Sequence, residues 1–600
     1  MHLRLRLADG LETCMRTFLL TFLGGLAALV MFFVLIPLML LMSFLPSGEP
    51  QRVPNAVVEV DLRRSWPDQP AADALSAAFS DISFVEVMLR LNSAASDPNV
   101  KGVFVRAPEI DLGSSRAEEL RAAFLRLRAA DKFIIAHTQG FLASGPSSYR
   151  AISAANEIWM QPGTSFETPG ITFETLFLGG AFAKFKIDPQ IEQFYEFKNA
   201  ADTYKRTGYS EPHALAMTAL ATSVWGHSIA DIAADRKMEP AALRTLMEAS
   251  PYSSERAVEL KLVDKLGYPE EAAAAARERA EGELVAIADY RGPPREGKAV
   301  IAIVGGEGDI VTGGGESGDV FAIGTPMFAS DRVAAELMEI AENDEINAVV
   351  FRVDSGGGSA TASDQIWNAV KKVQASGKKV VVSMGSAAAS GGYYVAASAD
   401  SIVATRSTIT GSIGVFGGKF AIADGLREFG VNPASVGVGG EFAGAYSTED
   451  FTPAQKSRLQ QSLQGTYDRF TRLVAEGRKL PLQKVQEIAR GRVWSGEDAL
   501  AQGLVNKTGD LITAIEEARN LAGFTEADGV DLRMNILTAT PFDLIARTMT
   551  AAKAGASESQ VLGALAGVIG QQRAEALISQ LRAVGQSPGA KVWMAPVVER

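Results

Sequence analysis

One motif occurs twice in this chain. KGVFVRAPEIDLGSSRAEELRAAFLRLRAADKFIIAHTQGFLASG aligns with NAVVFRVDSGGGSATASDQIWNAVKKVQASGKKVVVSMGSAAASG. Arg106 meets Arg352, Lys132 meets Lys378 and Ser144 meets Ser390, all 246 residues apart. Pro189 meets Pro433 at 244, and ERAVELKLVDKLG meets EDALAQGLVNKTG at 242. An offset that drifts by only two steps marks a tandem duplication with two small insertions in the first copy. Whatever the first copy folds into, the second must also fold into. The junction falls near GPPREGK, where paired prolines suit a linker. The spacing predicts repeats over residues 54–290 and 299–530, joined by 291–298, with 531–600 as a helical extension.

Each copy alternates short β-branched runs with helical spacing. AVIAIV, AVVFRV and KKVVVSM read as buried parallel strands. Between the last two, Ile366, Ala369, Val370 and Val373 form one apolar stripe, with Thr361 and Asp364 resembling a capping box. Strand, crossover helix and strand imply an α/β architecture. The last segment, with Val561, Leu565, Val568, Leu577 and Leu581 on apolar faces, reads as helix. The cluster GGEGDIVTGGGESG lacks a phosphate-loop pattern and reads as a mobile loop.

Thr17 to Gly48 contains no charged residue, enough to span a bilayer, so residues 17–46 read as a transmembrane anchor. MSFLPSGEP offers no small-residue cleavage site. Arg4, Arg6 and Arg16 precede the run, which puts residues 1–16 in the cytoplasm and the bulk outside, periplasmic in a didermic cell. The net charge of −12, with no basic stripe, argues against nucleic acid as a partner. A lone cysteine, Cys14, excludes an intrachain disulfide and a Cys-rich zinc site. The histidines, His2, His137, His213 and His227, show no metal-ligand spacing.

In VVVSMGSAAASGGYYVAASAD a buried strand runs through small residues to Ser390 and then a helix. A serine there sits beside free amides that favour an oxyanion, although serine is also a common helix cap. Gly356 to Gly358, in FRVDSGGGSA, allow backbone N–H groups to face a cavity or simply make a flexible turn. The second copy has no histidine, so the base for a serine nucleophile must be sought elsewhere. Lysine serves when an apolar pocket lowers its pKa by ~3 units. Lys198, in IEQFYEFKNAADTYK, lies among Phe194, Tyr195 and Phe197, while its counterpart in the second copy is Phe442. Each copy would then hold half a dyad.

ASGGYY, with DSGGGSA upstream and TGSIGVFGG downstream, closely resembles the signal peptide peptidase A (protease IV) family in its long tandem form. The resemblance covers anchor, repeats and GRVWSGEDALAQGLVNKTGD. It implies two Clp-protease/crotonase-like α/β repeats and a Ser-Lys dyad, with no cofactor or metal. Ser390 matches the nucleophile, Lys198 the base and Ser412 the serine that orients that lysine. Gly391, Gly357 and Gly358 match the oxyanion donors. The chain departs from the family's N-S-P-G-G, with Gly356 in place of proline. The implied activity is hydrolysis of apolar peptides and remnant signal peptides, by a membrane-anchored homotetramer. A catalytically silent scaffold that binds the same peptides is the alternative. An acyl-CoA enzyme fits poorly with the outside topology.

Overall fold

The computed structural model describes residues 53–70, 81–142, 145–293, 297–314 and 327–534. The expected cytoplasmic segment and anchor, Ser144, and all but the first four residues of the C-terminal extension lie outside the described residues. No helix among the described residues is long and apolar enough to cross a membrane.

The first repeat begins with β1 (Ala56–Asp61), β2 (Val100–Arg106), β3 (Phe133–Thr138), β4 (Glu157–Met160) and β5 (Ser165–Phe166). It continues with β6 (Asp188–Phe194), β7 (Tyr252–Ser253), β8 (Lys265–Leu266) and β9 (Leu284–Ala286). Six of these form a parallel sheet in the order β8-β4-β3-β2-β1-β9. Helices α1 (Phe84–Ser96) and α2 (Ser114–Ala129) make the crossovers. Helix α3 (Glu211–Arg236) follows β6, and α4 (Ser254–Glu259) follows β7.

The second repeat contains β10 (Ala299–Glu307), β11 (Asp309–Val311), β12 (Met327–Ala329), β13 (Ala348–Ser355) and β14 (Lys379–Ala389). After these come β15 (Ser401–Ala404), β16 (Ile409–Gly411), β17 (Val415–Ala421), β18 (Val493–Ser495), β19 (Lys507–Thr508) and β20 (Val530–Met534). The sheet runs β18-β16-β14-β13-β10-β20, with β15 and β19 branching from β14. The branch arises because β14 is eleven residues long: Val381–Ser383 pair with β15, and Ala387–Ala389 with β16. Its far end is thereby held beside Gly411. Helices α5 (Ala360–Ala375), α6 (Gly391–Ala396), α7 (Pro453–Arg478) and α8 (Leu511–Leu521) complete this repeat.

The strands form because their apolar residues are buried on both faces, as in Val349, Val350 and Phe351 of β13. One core cluster joins the repeats: Val58, Leu91 and Phe124 share it with Val350, Val381 and Ile512. The repeats are also locked by ions. Arg352 of β13, 1% exposed, reaches Asp68 and Glu119 of the first repeat, both at 2.8 Å. Arg406 bonds Glu118 at 2.8 Å and Asp231 at 2.6 Å.

Three sequence expectations change. The cap of α5 is Ser359, whose hydroxyl accepts from Ala362, whereas Asp364 instead accepts from Tyr394 Oη and Arg469. An exposed basic neighbour and a buried phenol outcompete the local cap. Val530–Met534 does not open a helical extension: it is the strand β20, paired with β10 as β9 pairs with β1. The repeat therefore runs past 530. Gly305 and Gly306 are not loop but part of β10, where a side chain on Gly306 would strike the Phe328 ring. Asp309–Val311 of that cluster is β11.

Candidate active site

Strand β14 delivers Ser390 at its end, and α6 starts at the next residue. The Ser390 backbone has φ 52° and ψ −117°, and its hydroxyl caps nothing. A positive φ on a non-glycine residue is a local strain. It turns the side chain out of the strand-to-helix corner, which a simple cap would not need. Ser390 N–H donates to Gly411 O at 2.9 Å, tying the corner to β16. The next residue along, Ser412, also has a positive φ of 48°. Its N–H donates to Arg492 O at 2.7 Å.

Lys198 comes from the other repeat. Strands β6 and β17 pair antiparallel, from Phe194 against Val415 to Asp188 against Ala421. The chain leaves this ladder at Phe194 and reaches Lys198 four residues later. Phe197 N–H donates to Arg490 O at 3.2 Å, which fixes that exit. Lys198 is 4% exposed. Its Nζ lies 3.0 Å from Ser390 Oγ, 3.0 Å from Ser412 Oγ and 3.1 Å from Ser412 O. Burial pushes its pKa from 10.5 down to about 8, with no other cause.

The acidic neighbours in sequence are occupied elsewhere. Glu192 pairs with Lys456, Glu196 with Arg490 and Asp202 with Arg206. Without a carboxylate to hold the ammonium, the amine can lose its proton near neutral pH. A neutral amine has two hydrogens and a lone pair. Ser412 O can only accept, and Ser412 Oγ can accept the second hydrogen. The lone pair is left for the Ser390 hydroxyl.

The glycine loop lies against the same corner. A side chain on Gly357 would come within 2.8 Å of both Gly391 N and Ser390 Cβ. Gly357 N–H donates to Ser355 Oγ at 3.1 Å, and Gly357 O accepts from Ile310 N–H. Gly357 is thus not a free donor; it provides clearance. Gly358 and Gly391 differ, since neither N–H donates to a described residue. A Cβ built on Gly391 would lie 3.2 Å from Gly358 N. Two amides without a partner among the described residues therefore lie near one another at the Ser390 corner, an arrangement suited to a tetrahedral oxyanion.

Gly491, which sequence reasoning passed over, completes the site. It has φ +80°, and a Cβ there would lie 2.5 Å from Lys198 N. Its signal was its place at the head of GRVWSG, on a segment more than 290 residues from Lys198. Arg492 stacks on Phe197 at 5.3 Å and on Trp494 at 4.2 Å, walling the lysine pocket.

The peptidase family S49 model matches residues 126–283 and 372–525, and the Clp protease model matches residues 324–418. The chain is 30% identical to a protein named serine protease SPPA, chloroplastic, of Arabidopsis thaliana, covering 75% of this chain and 68% of that one. It is 29% identical to Protease 4 of Haemophilus influenzae, covering 80% of each. It is 28% identical to Protease 4 of Salmonella typhi, over 75% of this chain and 74% of that one.

Proposed function

This chain belongs to peptidase family S49 and is a serine peptidase; from that premise we propose that it cleaves peptides with a Ser390–Lys198 dyad. The observation that carries the proposal is Lys198 Nζ at 3.0 Å from Ser390 Oγ, buried and away from carboxylates.

In the proposed reaction the neutral Lys198 amine takes the proton of Ser390 as Oγ attacks the scissile carbonyl carbon. The carbonyl oxygen becomes an oxyanion held by the N–H groups of Gly358 and Gly391. Lys198, now an ammonium, gives its proton to the leaving amine nitrogen, and an acyl-serine remains. Water then attacks that ester while Lys198 accepts its proton and returns it to Ser390 Oγ as the acyl–oxygen bond breaks, which releases the acid and regenerates Ser390. Ser412 keeps the amine aimed throughout. Labelling with a serine-reactive fluorophosphonate tests this: the wild type should label and Ser390→Ala should not. An unlabelled wild type that still binds apolar peptides would instead favour the silent scaffold.

The substrates we infer are apolar peptides, including remnant signal peptides, met by an enzyme tethered through residues 17–46 with its bulk outside the cytoplasm. Supporting this are the uncharged run from Thr17 to Gly48 and a relative named putative signal peptide peptidase SppA, from Enterococcus faecium. Deleting residues 1–46 should release a soluble, active protein.

We also infer a homo-oligomer, a tetramer by family resemblance. The duplication supports it. By repeat register the counterparts of β17 and β6 are residues 171–177 and 432–438. These make no ladder with each other among the described residues, and Leu176, Val436 and Val438 are 76%, 99% and 94% exposed. Copying the β6–β17 pairing between neighbouring molecules would cover both, head to tail. A Phe173→Cys, Val436→Cys protein should cross-link between subunits; failure of that pair would reject this contact.

A further inference from the structure

A cavity lies at the amino-terminal edge of the first repeat's sheet. Asn156 and Asp264 stand there immediately before β4 and β8. The cavity, of about 480 Å³, opens between the ends of α2, α3 and α4, lined by Arg128, Asn156, Arg236, Lys237 and Lys261. Two carboxylates, Asp235 and Asp264, also face it. Both are already engaged. Asp235 accepts from Arg121 at 2.6 Å and from Ser153 Oγ at 2.6 Å. Asp264 accepts from Arg236 at 2.7 Å and from Ile158 N–H at 2.8 Å.

The remaining donors are underused. Lys237 and Lys261 make no side-chain hydrogen bond or ion pair with a described residue. Among the described residues Arg128 donates only to Ala154 O, at 3.0 Å. The carbonyl ends of α2, α3 and α4 attract cations and account for part of this basic lining; among those carbonyls that of Lys261 is bonded by Arg236 Nη2 at 3.1 Å. The lining therefore holds four cations against two carboxylates, an excess of two positive charges.

The second repeat shows what this region is like when it is merely structural. Gln374, Asp400, Gly477, Gly503 and Asn506 stand where the first repeat has Arg128, Asn156, Asp235, Lys261 and Asp264. Gln374 donates to Asp400 and to Ser398 O, and Arg478 reaches Ala399 O. A Cβ on Gly477 would lie 2.1 Å from Ala397 O, so α7 packs down on that turn without a gap. The fold thus needs neither the opening nor Arg128 and Lys261, whereas Arg236 and Lys237 recur as Arg478 and Lys479.

We propose that the first-repeat pocket binds a phosphate-bearing anion. An excess of two charges matches a phosphate monoester dianion. The ammonium groups, the guanidinium and the Asn156 amide provide separate donors for its oxygens. The space around the ion accommodates an attached organic group. Both inorganic or small organic phosphate and a phospholipid headgroup have this chemistry. The site is separate from the peptidase centre and uses none of its residues.

The test converts the pocket to the composition of its counterpart. Thermal unfolding of the full chain is followed with inorganic phosphate or chloride at equal ionic strength. Phosphate should raise the wild-type midpoint. Arg128→Gln with Lys261→Gly should weaken that response by roughly tenfold or more, with peptide hydrolysis unchanged. Lys237→Gln alone should weaken it in the same direction, which covers the case of a misfolded double variant. Vesicles of phosphatidylcholine with and without phosphatidic acid separate the two sources. Competition by the phosphatidic acid vesicles against phosphate identifies the headgroup, and its absence identifies the free anion. No phosphate-dependent shift in the wild type, or the same shift in both variants, overturns the proposal.

Discussion

The two repeats share a sheet order and differ at the polar positions of the catalytic site and of the ion pairs between them. Arg106 and Arg352 are repeat partners. Among the described residues Arg106 donates only to Gln139, at 3.3 Å, near the surface. Arg352 is buried against two carboxylates contributed by the other repeat. Lys198 stands in the first repeat where Phe442, 41% exposed, stands in the second. Ser390 is followed by Gly391 and Gly392, whereas the first copy has Gly145 and then Pro146, which lacks an N–H, at those positions. Duplication conserved the strands because burial on both faces tolerates few alternatives. The polar residues, free of that constraint in one copy at a time, were divided between the copies. The junction between repeats is where they meet again.

The largest effects should come from the divided dyad. Ser390→Ala and Lys198→Arg should each lower kcat/KM by about a thousandfold or more, ~4 kcal/mol in transition-state energy, with folding intact. A guanidinium cannot serve as the base. Ser144→Ala should keep most activity, since the first copy lacks the lysine frame. A hundredfold loss there would make the repeats functionally equivalent and break the comparison.

The arginine pair comes next. Removing Arg352 by Arg352→Ala strands Asp68 and Glu119 in the interior and should destabilise the protein by about 3–5 kcal/mol. Burial already pushes the Glu119 carboxyl up, and Arg352 is the main influence opposing it. Arg106→Ala should stay within about 0.5 kcal/mol. Denaturant unfolding of the two variants measures both values, and equal losses would deny the asymmetry.

Lys198 should also carry a stability signature. Its folded pKa of about 8 lies below its ordinary 10.5. Between those values the unfolded chain binds more protons, so stability rises with pH across that window. Below pH 8 the full penalty applies, on the order of 3 kcal/mol. Lys198→Met should therefore stabilise the protein at pH 7, with the gain shrinking from pH 8 toward 10.5. The wild-type kcat should climb through about pH 8 over part of that window. A pH-independent stability difference would remove the depressed lysine.

The sequence revealed the duplication, the α/β class and the serine corner because each depends on local pattern: buried strands, small residues and a turn. It revealed the lysine through family resemblance and the aromatic context. It could not reveal what depends on register between distant segments. Arg352 and Asp68 are 284 residues apart, and nothing local marks them as partners. Gly357 looks like its neighbour Gly358 in sequence, and only the Ser355 hydroxyl distinguishes the occupied amide from the free one. The strand at Val530–Met534 was hidden because VDLRM pairs only through β10 at the far end of the repeat.

The smallest effect concerns two hydroxyls in register. Ser412 faces Lys198 in the second repeat; its counterpart in the first, at an offset of 244, is Thr168. Ser412 Oγ is 3.0 Å from Lys198 Nζ, whereas Thr168 Oγ1 is buried with no partner among the described residues. Ser412→Ala leaves the backbone carbonyl as the remaining anchor of the amine. The amine should then lose aim without losing its pocket, and kcat should fall by roughly tenfold, ~1.4 kcal/mol, with KM little changed. Thr168→Val removes a hydroxyl that gains nothing from burial, so it should leave kcat unaltered and raise stability by up to about 1 kcal/mol. The different outcomes come from one difference, the presence of a lysine. If Thr168→Val lowers kcat as Ser412→Ala does, the first repeat takes part in the chemistry through its own hydroxyl. If Ser412→Ala raises KM and spares kcat, Ser412 belongs to substrate binding and not to the orientation of Lys198.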